Sequence, residues 1–118
     1  MFDKFIEISM LYGFYGGLLP QKQNLFLKAY YEDDCSLSEI AEQYGISRQG
    51  VHDGIRKAEK SLREYEEKLG LVSRFLRTAD VLKELDDRID RMVEQHGEDP
   101  LLIEDLKAMK ETIDSLND

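Results

Sequence analysis

Apolar residues recur along this chain at steps of three and four, the spacing of one face of an α-helix, and strand-like alternation is missing. The clearest series lies in the middle of the chain. It comprises Val51, Ile55, Ala58, Leu62, Tyr65 and Leu69. Because this series places every apolar side chain on one side of a helix, it predicts a long amphipathic helix. The pattern as a whole predicts an all-α fold.

Proline, glycine and hydroxyl-bearing residues divide the first 70 residues into four periodic segments. The predicted helices cover about residues 2–14, 20–31, 36–44 and 47–69. Pro20 is predicted in the first turn of its helix, where a missing N–H costs least. Ser36 and Glu39 form a capping box at the start of the third helix. Ser47 caps the fourth helix, and Gly70 suits the left-handed conformation that ends it.

Two further apolar stripes with heptad-like spacing lie in the last 48 residues. They are separated by Gly97 and the pair Asp99-Pro100, which predict a turn and a new helix cap. The stripes comprise Phe75, Leu82, Leu85, Ile89 and Met92, and then Leu102, Leu106, Met109, Ile113 and Leu116. Two such helices joined by a short turn predict an antiparallel hairpin. The sequence leaves open whether this hairpin, residues 71–118, packs on the domain of residues 1–70 or forms a homodimer.

The third and fourth predicted helices have the spacing of a helix-turn-helix unit. Ala41 lies where the two helices approach most closely, a position that needs a small side chain. Gly45, four residues later, suits a left-handed turn because it has no Cβ. Ile46 and Val51 are expected to fill the core between the helices. The spacing therefore predicts a helix-turn-helix, with a helical corner used for protein contacts as the alternative.

The charge of the chain is unevenly distributed. The 25 acids and 16 bases give a net charge of −9, which argues against a protein that coats nucleic acid through bulk electrostatics. Residues 1–70 hold 12 acids and 9 bases, whereas residues 71–118 hold 13 acids and 7 bases. Residues 48–63 hold five bases and two acids, a local charge of +3. The fourth helix is thus a small basic patch on an acidic protein.

If the fourth helix is a recognition helix, its exposed face contacts nucleic acid. Arginine suits guanine and glutamine suits adenine in the major groove, whereas lysines further along suit phosphates. The predicted nucleic-acid-binding residues are Ser47, Arg48, Gln49, His52, Arg56, Lys57, Lys60 and Arg63. Asp53 lies in the middle of this face and would repel phosphate. Gly50 and Gly54 leave a bare strip, which either admits a backbone or a partner helix or is merely tolerated.

Other chemistry is not indicated. The sequence has no glycine-rich phosphate loop or nucleophile–base pair, and His52 and His96 lack metal-ligand spacing. We therefore expect no enzyme, no metal and no cofactor. The single cysteine, Cys35, cannot form an internal disulfide and favours a reducing compartment. The most apolar stretch, residues 5–19, is shorter than the ~20 residues of a membrane span, so we expect a cytoplasmic protein without membrane insertion.

Residues 19–62 resemble region four of bacterial sigma-70-type factors, with a Leu-Pro start, an acidic turn, the run Ser-Leu-Ser-Glu-Ile-Ala-Glu and a long final helix. Nearly the whole chain resembles the YlxM-type helix-turn-helix proteins of Gram-positive bacteria. The residues that carry this resemblance are Phe14-Tyr15-Gly16, Leu18-Leu19, Lys22-Gln23, Tyr30-Tyr31-Glu32-Asp33-Asp34, Ser36-Leu37, Glu39-Ile40-Ala41-Glu42, Ser47-Arg48-Gln49, Val51, Asp53, Ile55 and Tyr65-Glu66-Glu67-Lys68-Leu69.

The resemblance implies an all-α fold with a sigma-region-four-like helix-turn-helix domain, and it brings no catalytic residues. It also implies a regulatory link to the signal recognition particle pathway. We therefore expect a DNA-binding regulator that acts as a homodimer. The alternative is a non-catalytic adaptor whose partner is the protein or RNA of the signal recognition particle.

Overall fold

The computed structural model describes residues 3–117, with side chains to residue 116, so the predicted contribution of Phe2 to the first helix lies outside it. Six α-helices account for most of this range. They are α1 (Lys4–Tyr15), α2 (Gln21–Leu27), α3 (Leu37–Tyr44), α4 (Arg48–Leu69), α5 (Leu71–Gln95) and α6 (Pro100–Asp114). Short 3-10 turns cover Gly16–Leu18 and Ser115–Asn117. Residues 3–117 contain no strand, and the all-α prediction is confirmed.

The second helix differs from its prediction at both ends. Pro20 is the N-cap of α2 and not a residue of its first turn. The α-helical hydrogen bonding stops at Leu27, and the chain continues as a π-helical turn over Lys28–Glu32. In that turn the Asp33 N–H donates to the Lys28 carbonyl five residues back. A pattern of apolar residues does not distinguish this wider turn from an α-turn, because both place side chains on one face.

The described residues form two compact units, which divide between Val72 and Ser73. In the first unit α4 packs against α1, α2 and α3. The buried apolar side chains of this unit are Ile8, Leu11, Tyr15, Leu19, Phe26, Leu27, Ala29, Ile40, Ala41, Val51, Ile55, Ala58, Leu62 and Val72. The predicted apolar stripe of α4 therefore forms the centre of this core from Val51 to Leu62, whereas Leu69 at its end is exposed.

The helix-turn-helix geometry of α3 and α4 agrees with the local sequence signals. The Ser36 hydroxyl accepts from the Glu39 N–H (3.1 Å), and the Glu39 carboxylate accepts from the Ser36 N–H (3.0 Å). Gly45 has a φ of 67°, the left-handed conformation that glycine adopts without a Cβ clash. Ala41 and Val51 are buried as expected. The capping box and the tight turn fix the direction in which α4 leaves α3.

A part-buried polar cluster lies where α4 ends and the first turn of α5 begins. Gly70, with a φ of 62°, ends α4, and α5 begins at the next residue. The Tyr15 hydroxyl donates to Glu66 Oε1 (2.6 Å) and accepts from the Leu71 N–H (3.0 Å). The same Glu66 oxygen accepts from the Val72 N–H (3.0 Å). Two free N–H groups of the first turn of α5 are thereby satisfied by side chains from α1 and α4.

The second unit is an antiparallel hairpin of α5 and α6. Asp99 caps α6 by accepting from the Leu102 N–H (3.1 Å), with Pro100 in the first turn. Ile89 and Leu106 are the buried apolar residues among the described part of this unit. Within residues 3–117, no helix is both long and apolar enough to cross a membrane.

Candidate nucleic-acid interface

The N-terminus of α4 is built by Ser47, the first of the predicted binding residues. Its hydroxyl accepts a hydrogen bond from the Gly50 N–H (3.0 Å), which makes Ser47 the N-cap of the helix. The remaining free N–H groups of the first turn give this end of α4 a partial positive charge. Ser47 therefore serves first as a structural cap, and the helix end itself is suited to a phosphate group.

The predicted cations lie on the exposed side of α4. Gln49, Arg56, Lys60 and Arg63 follow one another at helical spacing and are exposed, so they form a row along one face. Arg63 donates to the Glu7 carboxylate of α1 (3.0 Å). The other cations of this surface, Arg48, Arg56, Lys57 and Lys60, form no salt bridge with any described residue. They are therefore available to an anionic partner.

Lys4 of α1 extends this basic surface beyond α4. It lines a shallow depression of about 650 Å³ together with the cations Arg56, Lys57, Lys60 and Arg63 of α4. Glu59, Glu64 and Glu67 also line it. The sequence-based prediction missed Lys4, because no local pattern relates the start of the chain to a helix more than 50 residues later.

Gln49, His52 and Asp53 interact with one another at the start of the row. The Gln49 side-chain amide donates to Asp53 Oδ1 (2.9 Å). His52 Nδ1 lies 3.7 Å from the same oxygen, too far for a hydrogen bond. The carboxylate of Asp53 thus holds the amide that would bond to a base. Because the amide nitrogen carries two N–H groups, Gln49 keeps its second N–H and its oxygen for a base while it bonds to Asp53.

Glu59 is one of the two acids that were counted in the local charge of residues 48–63. Its side chain is buried, with an exposed fraction of 4% for the residue. The carboxylate accepts from the Tyr31 hydroxyl (2.5 Å) and lies 3.3 Å from the Lys4 ammonium. Burial, followed by the hydrogen bond to this carboxylate, raises the pKa of Tyr31. The position of Glu59, between Ile55 and Leu62 in the apolar stripe, is the sequence signal that would have identified it as buried.

The part of the expected bare strip that lies at Gly54 is occupied by α2. A Cβ added at Gly54 would lie 2.9 Å from the ring of Phe26, a distance that real side chains do not tolerate. The Phe26 ring also packs edge-on against Tyr44 (5.1 Å between centroids). At Gly50 an added Cβ would lie 3.2 Å from Ser47 Oγ. Gly54 is therefore required for the close approach of α2 to α4, and at Gly54 the strip does not admit an outside partner.

Comparison with known proteins points to one family. Residues 2–116 match the UPF0122 family, described as "Putative helix-turn-helix protein, YlxM / p13 like". A UPF0122 protein of Halalkalibacterium halodurans is 39% identical over 98% of this chain and 99% of its own length. A UPF0122 protein of Geobacillus kaustophilus is 43% identical over 92% of this chain and 99% of its own length. A third, from Desulforamulus reducens, is 43% identical over 93% of this chain and 92% of its own length.

Proposed function

Because the chain belongs to the UPF0122 family of YlxM/p13-like helix-turn-helix proteins, we propose that it is a DNA-binding regulatory protein that reads duplex DNA with the exposed face of α4. The observation that carries this proposal is the group of four unpaired cations on one helix of an acidic protein. In this proposal Arg48, Gln49 and Arg56 contact base edges in the major groove. His52 lies among them at the groove floor.

Lys57, Lys60 and Arg63 contact phosphates in this scheme and set the orientation of α4 on the duplex. Three phosphate contacts release about three counterions, so the logarithm of the affinity should fall with the logarithm of salt concentration with a slope of about −3. The net charge of −9 opposes non-specific binding. The proposed binding is consequently weak at random sequences and depends on base contacts for specificity.

Helix-turn-helix proteins are typically non-enzymatic, and the proposal assigns no catalytic step and no cofactor to this chain. It places the protein in the cytoplasm, where bacterial DNA is accessible and where the single thiol of Cys35 stays reduced.

Fluorescence anisotropy with duplexes from a genomic DNA pool, at low and moderate salt, tests the proposal. Arg56→Ala should weaken binding to selected duplexes about tenfold or more, because a paired contact to guanine contributes about 1–3 kcal/mol. Lys60→Ala should weaken binding to all duplexes to a similar degree. It should also make the slope of log affinity against log salt concentration shallower by about one. Arg91→Ala, which removes a cation from the hairpin, is the matched control and should change neither quantity. Absence of salt-sensitive binding, or equal effects of all three variants, would refute the proposal.

The second candidate is an adaptor that binds the protein or RNA of the signal recognition particle. The bond from Gln49 to Asp53 favours it, because a carboxylate on the reading face opposes close approach of a duplex backbone. The same anisotropy titrations with structured RNA, and co-purification with the particle's GTPase before and after nuclease treatment, distinguish the two candidates. Preference for RNA or for the GTPase, with no duplex DNA binding, would favour the adaptor.

A further inference from the structure

The hairpin leaves an apolar groove open between α5 and α6. Its volume is about 480 Å³. The lining residues are Leu85, Ile89 and Met92 of α5 and Leu106, Met109 and Ile113 of α6, with Arg88 and Thr112 beside them. Lys110 bridges the two helices by pairing with Asp86 (3.6 Å) and Asp90 (2.5 Å). The hairpin therefore has ion pairs between its helices and, in addition, an uncovered apolar groove.

The six apolar residues of this groove belong to the predicted heptad stripes; Ile89 and Leu106 among them are buried, whereas three of the others are 40–54% exposed. Leu85 and Met92 of α5 are 44% and 40% exposed, and Met109 of α6 is 54% exposed. Leu116, which continues the α6 stripe, is 67% exposed. Isolated exposed leucines are ordinary, whereas a continuous apolar groove of this kind marks an interaction site.

We propose that this groove binds the same groove of a second copy of the chain, so that two hairpins complete a four-helix bundle. A heptad stripe packs by inserting side chains between those of a facing helix, and each hairpin presents two such stripes side by side. A second hairpin has the matching width of two helices and the matching spacing. The proposal concerns residues 73–118 and does not depend on nucleic-acid binding by α4.

The charge distribution favours a second copy over a basic partner helix. The hairpin is acidic overall, but the only charged residue that lines the groove is the cation Arg88. A basic amphipathic helix seated in the groove would meet this arginine instead of carboxylates. An apolar face such as the groove itself is the better complement. Repulsion between the two acidic hairpins then limits the affinity and is reduced by salt.

The area available suits a dimer of moderate affinity. The 15 residues of α6 span about 22 Å, and two neighbouring helices are about 20 Å wide. Two facing surfaces of this size, treated as flat, together bury on the order of 900 Å². This total is close to the ~1,000 Å² that the smallest specific interfaces bury. We therefore expect a dissociation constant in the micromolar range.

Sedimentation equilibrium of the full chain tests the proposal. The protein concentrations should run from about 1 μM, the lower end of the expected dissociation constant, to about 200 μM. The wild type should show a monomer–dimer equilibrium that tightens by about threefold when salt screens the acidic hairpins. Met109→Glu should weaken dimerisation by about a hundredfold, because it places a carboxylate in the apolar groove. Leu69→Glu is the matched control, since Leu69 is exposed to a similar degree (56%) but lies in α4, and it should leave the dimer intact.

Met109→Ala accompanies these variants, because alanine preserves helix propensity and introduces no charge. It should weaken the dimer about tenfold while the circular dichroism spectrum stays unchanged. A wild type that is monomeric at every concentration would overturn the proposal, whatever other partner the groove then binds. Three other results would overturn it as well. Salt could weaken the dimer, Met109→Glu could leave it unchanged, or Leu69→Glu could abolish it to the same degree as Met109→Glu.

Discussion

The apolar stripes of α4 and α6 have the same helical spacing and very different surroundings. Val51, Ile55, Ala58 and Leu62 of α4 are all at most 5% exposed. In the α6 stripe Leu106 is buried, but Met109, and Leu116 in the 3-10 turn that follows α6, are more than half exposed. Within the first unit α4 packs against α1, α2 and α3, whereas within the described part of the second unit α5 is the helix that lies beside α6. Periodicity therefore shows which face of a helix is apolar, but it does not show how many neighbours cover that face.

Truncation of one residue in each stripe tests this difference and has the largest expected effect. Leu62→Ala in α4 should lower the free energy of unfolding by about 2–5 kcal/mol, because it leaves a cavity in a closed core. Met109→Ala in α6 should cost less than about 1 kcal/mol in dilute protein, because more than half of the side chain is already in water. Urea denaturation followed by circular dichroism, at concentrations where the chain is monomeric, measures both values.

Equal losses for the two variants would break the comparison, since they would mean that Met109 is as well packed as Leu62. If the loss of unfolding free energy in Met109→Ala grows with protein concentration, the difference between the α4 and α6 stripes is defined more closely. Such growth would show that the missing neighbours of α6 come from a second chain.

The sequence predicted most of what depends on local chemistry. The capping box at Ser36, the left-handed glycines Gly45 and Gly70, and the stripe of α4 involve residues at most a few positions apart, and their backbone geometry follows from propensity and hydrogen bonding. The contact of Phe26 with Gly54 was not predicted, because it joins two different helices through residues that lie 28 positions apart in the chain.

For the candidate site, too, the sequence predicted the local features and not the tertiary contacts. The sequence placed the cations on one helix, and the structure has them exposed there, but their role in binding stays a prediction. The sequence did not indicate that Gln49 bonds to Asp53 or that Lys4 pairs with Glu59. Both interactions depend on side-chain conformation or on tertiary contacts, which periodicity does not contain.

The two units should also differ in how their free energies of unfolding respond to alkaline pH. All six tyrosines of the chain lie at or before Tyr65, so residues 73–118 contain none. Burial, followed by hydrogen bonding to a glutamate, raises the pKa of Tyr15 and of Tyr31 above the ordinary value of 10.0. A raised folded-state pKa means that the stabilisation is complete below pH 10 and is lost as the pH rises further. The free energy of unfolding of the first unit should therefore fall above pH 10.

The fall should amount to at most about 1.4 kcal/mol per pH unit for each such tyrosine. Urea titrations between neutral pH and pH 11, with tyrosinate absorbance as the second signal, measure it. Tyr15→Phe and Tyr31→Phe should each reduce the slope, and Tyr44→Phe, whose ring packs against Phe26, is the control. Identical slopes in all three variants would show that the buried hydroxyls do not govern alkaline unfolding.

The helix caps give the smallest expected difference between the units. Ser36→Ala removes the cap of α3 and should cost about 1 kcal/mol in global unfolding, because α3 is part of the first unit's core. Asp99→Ala removes the corresponding cap of α6. Its effect should appear as faster amide hydrogen exchange in the first turn of α6, with a smaller change in global stability, because the hairpin buries little apolar surface and opens locally.

Acid titration distinguishes the cap of α3 from a general loss of helix propensity. The backbone N–H of Ser36 donates to the Glu39 carboxylate and holds the pKa of Glu39 below its ordinary value of 4.5. Because the folded-state pKa is lowered, the stabilisation is present above pH 4.5 and is lost as the pH falls through the lowered value. Glu39→Gln should therefore be less stable than the wild type at neutral pH and approach it in acid. A constant difference across this range would assign the effect to propensity and not to the capping hydrogen bond.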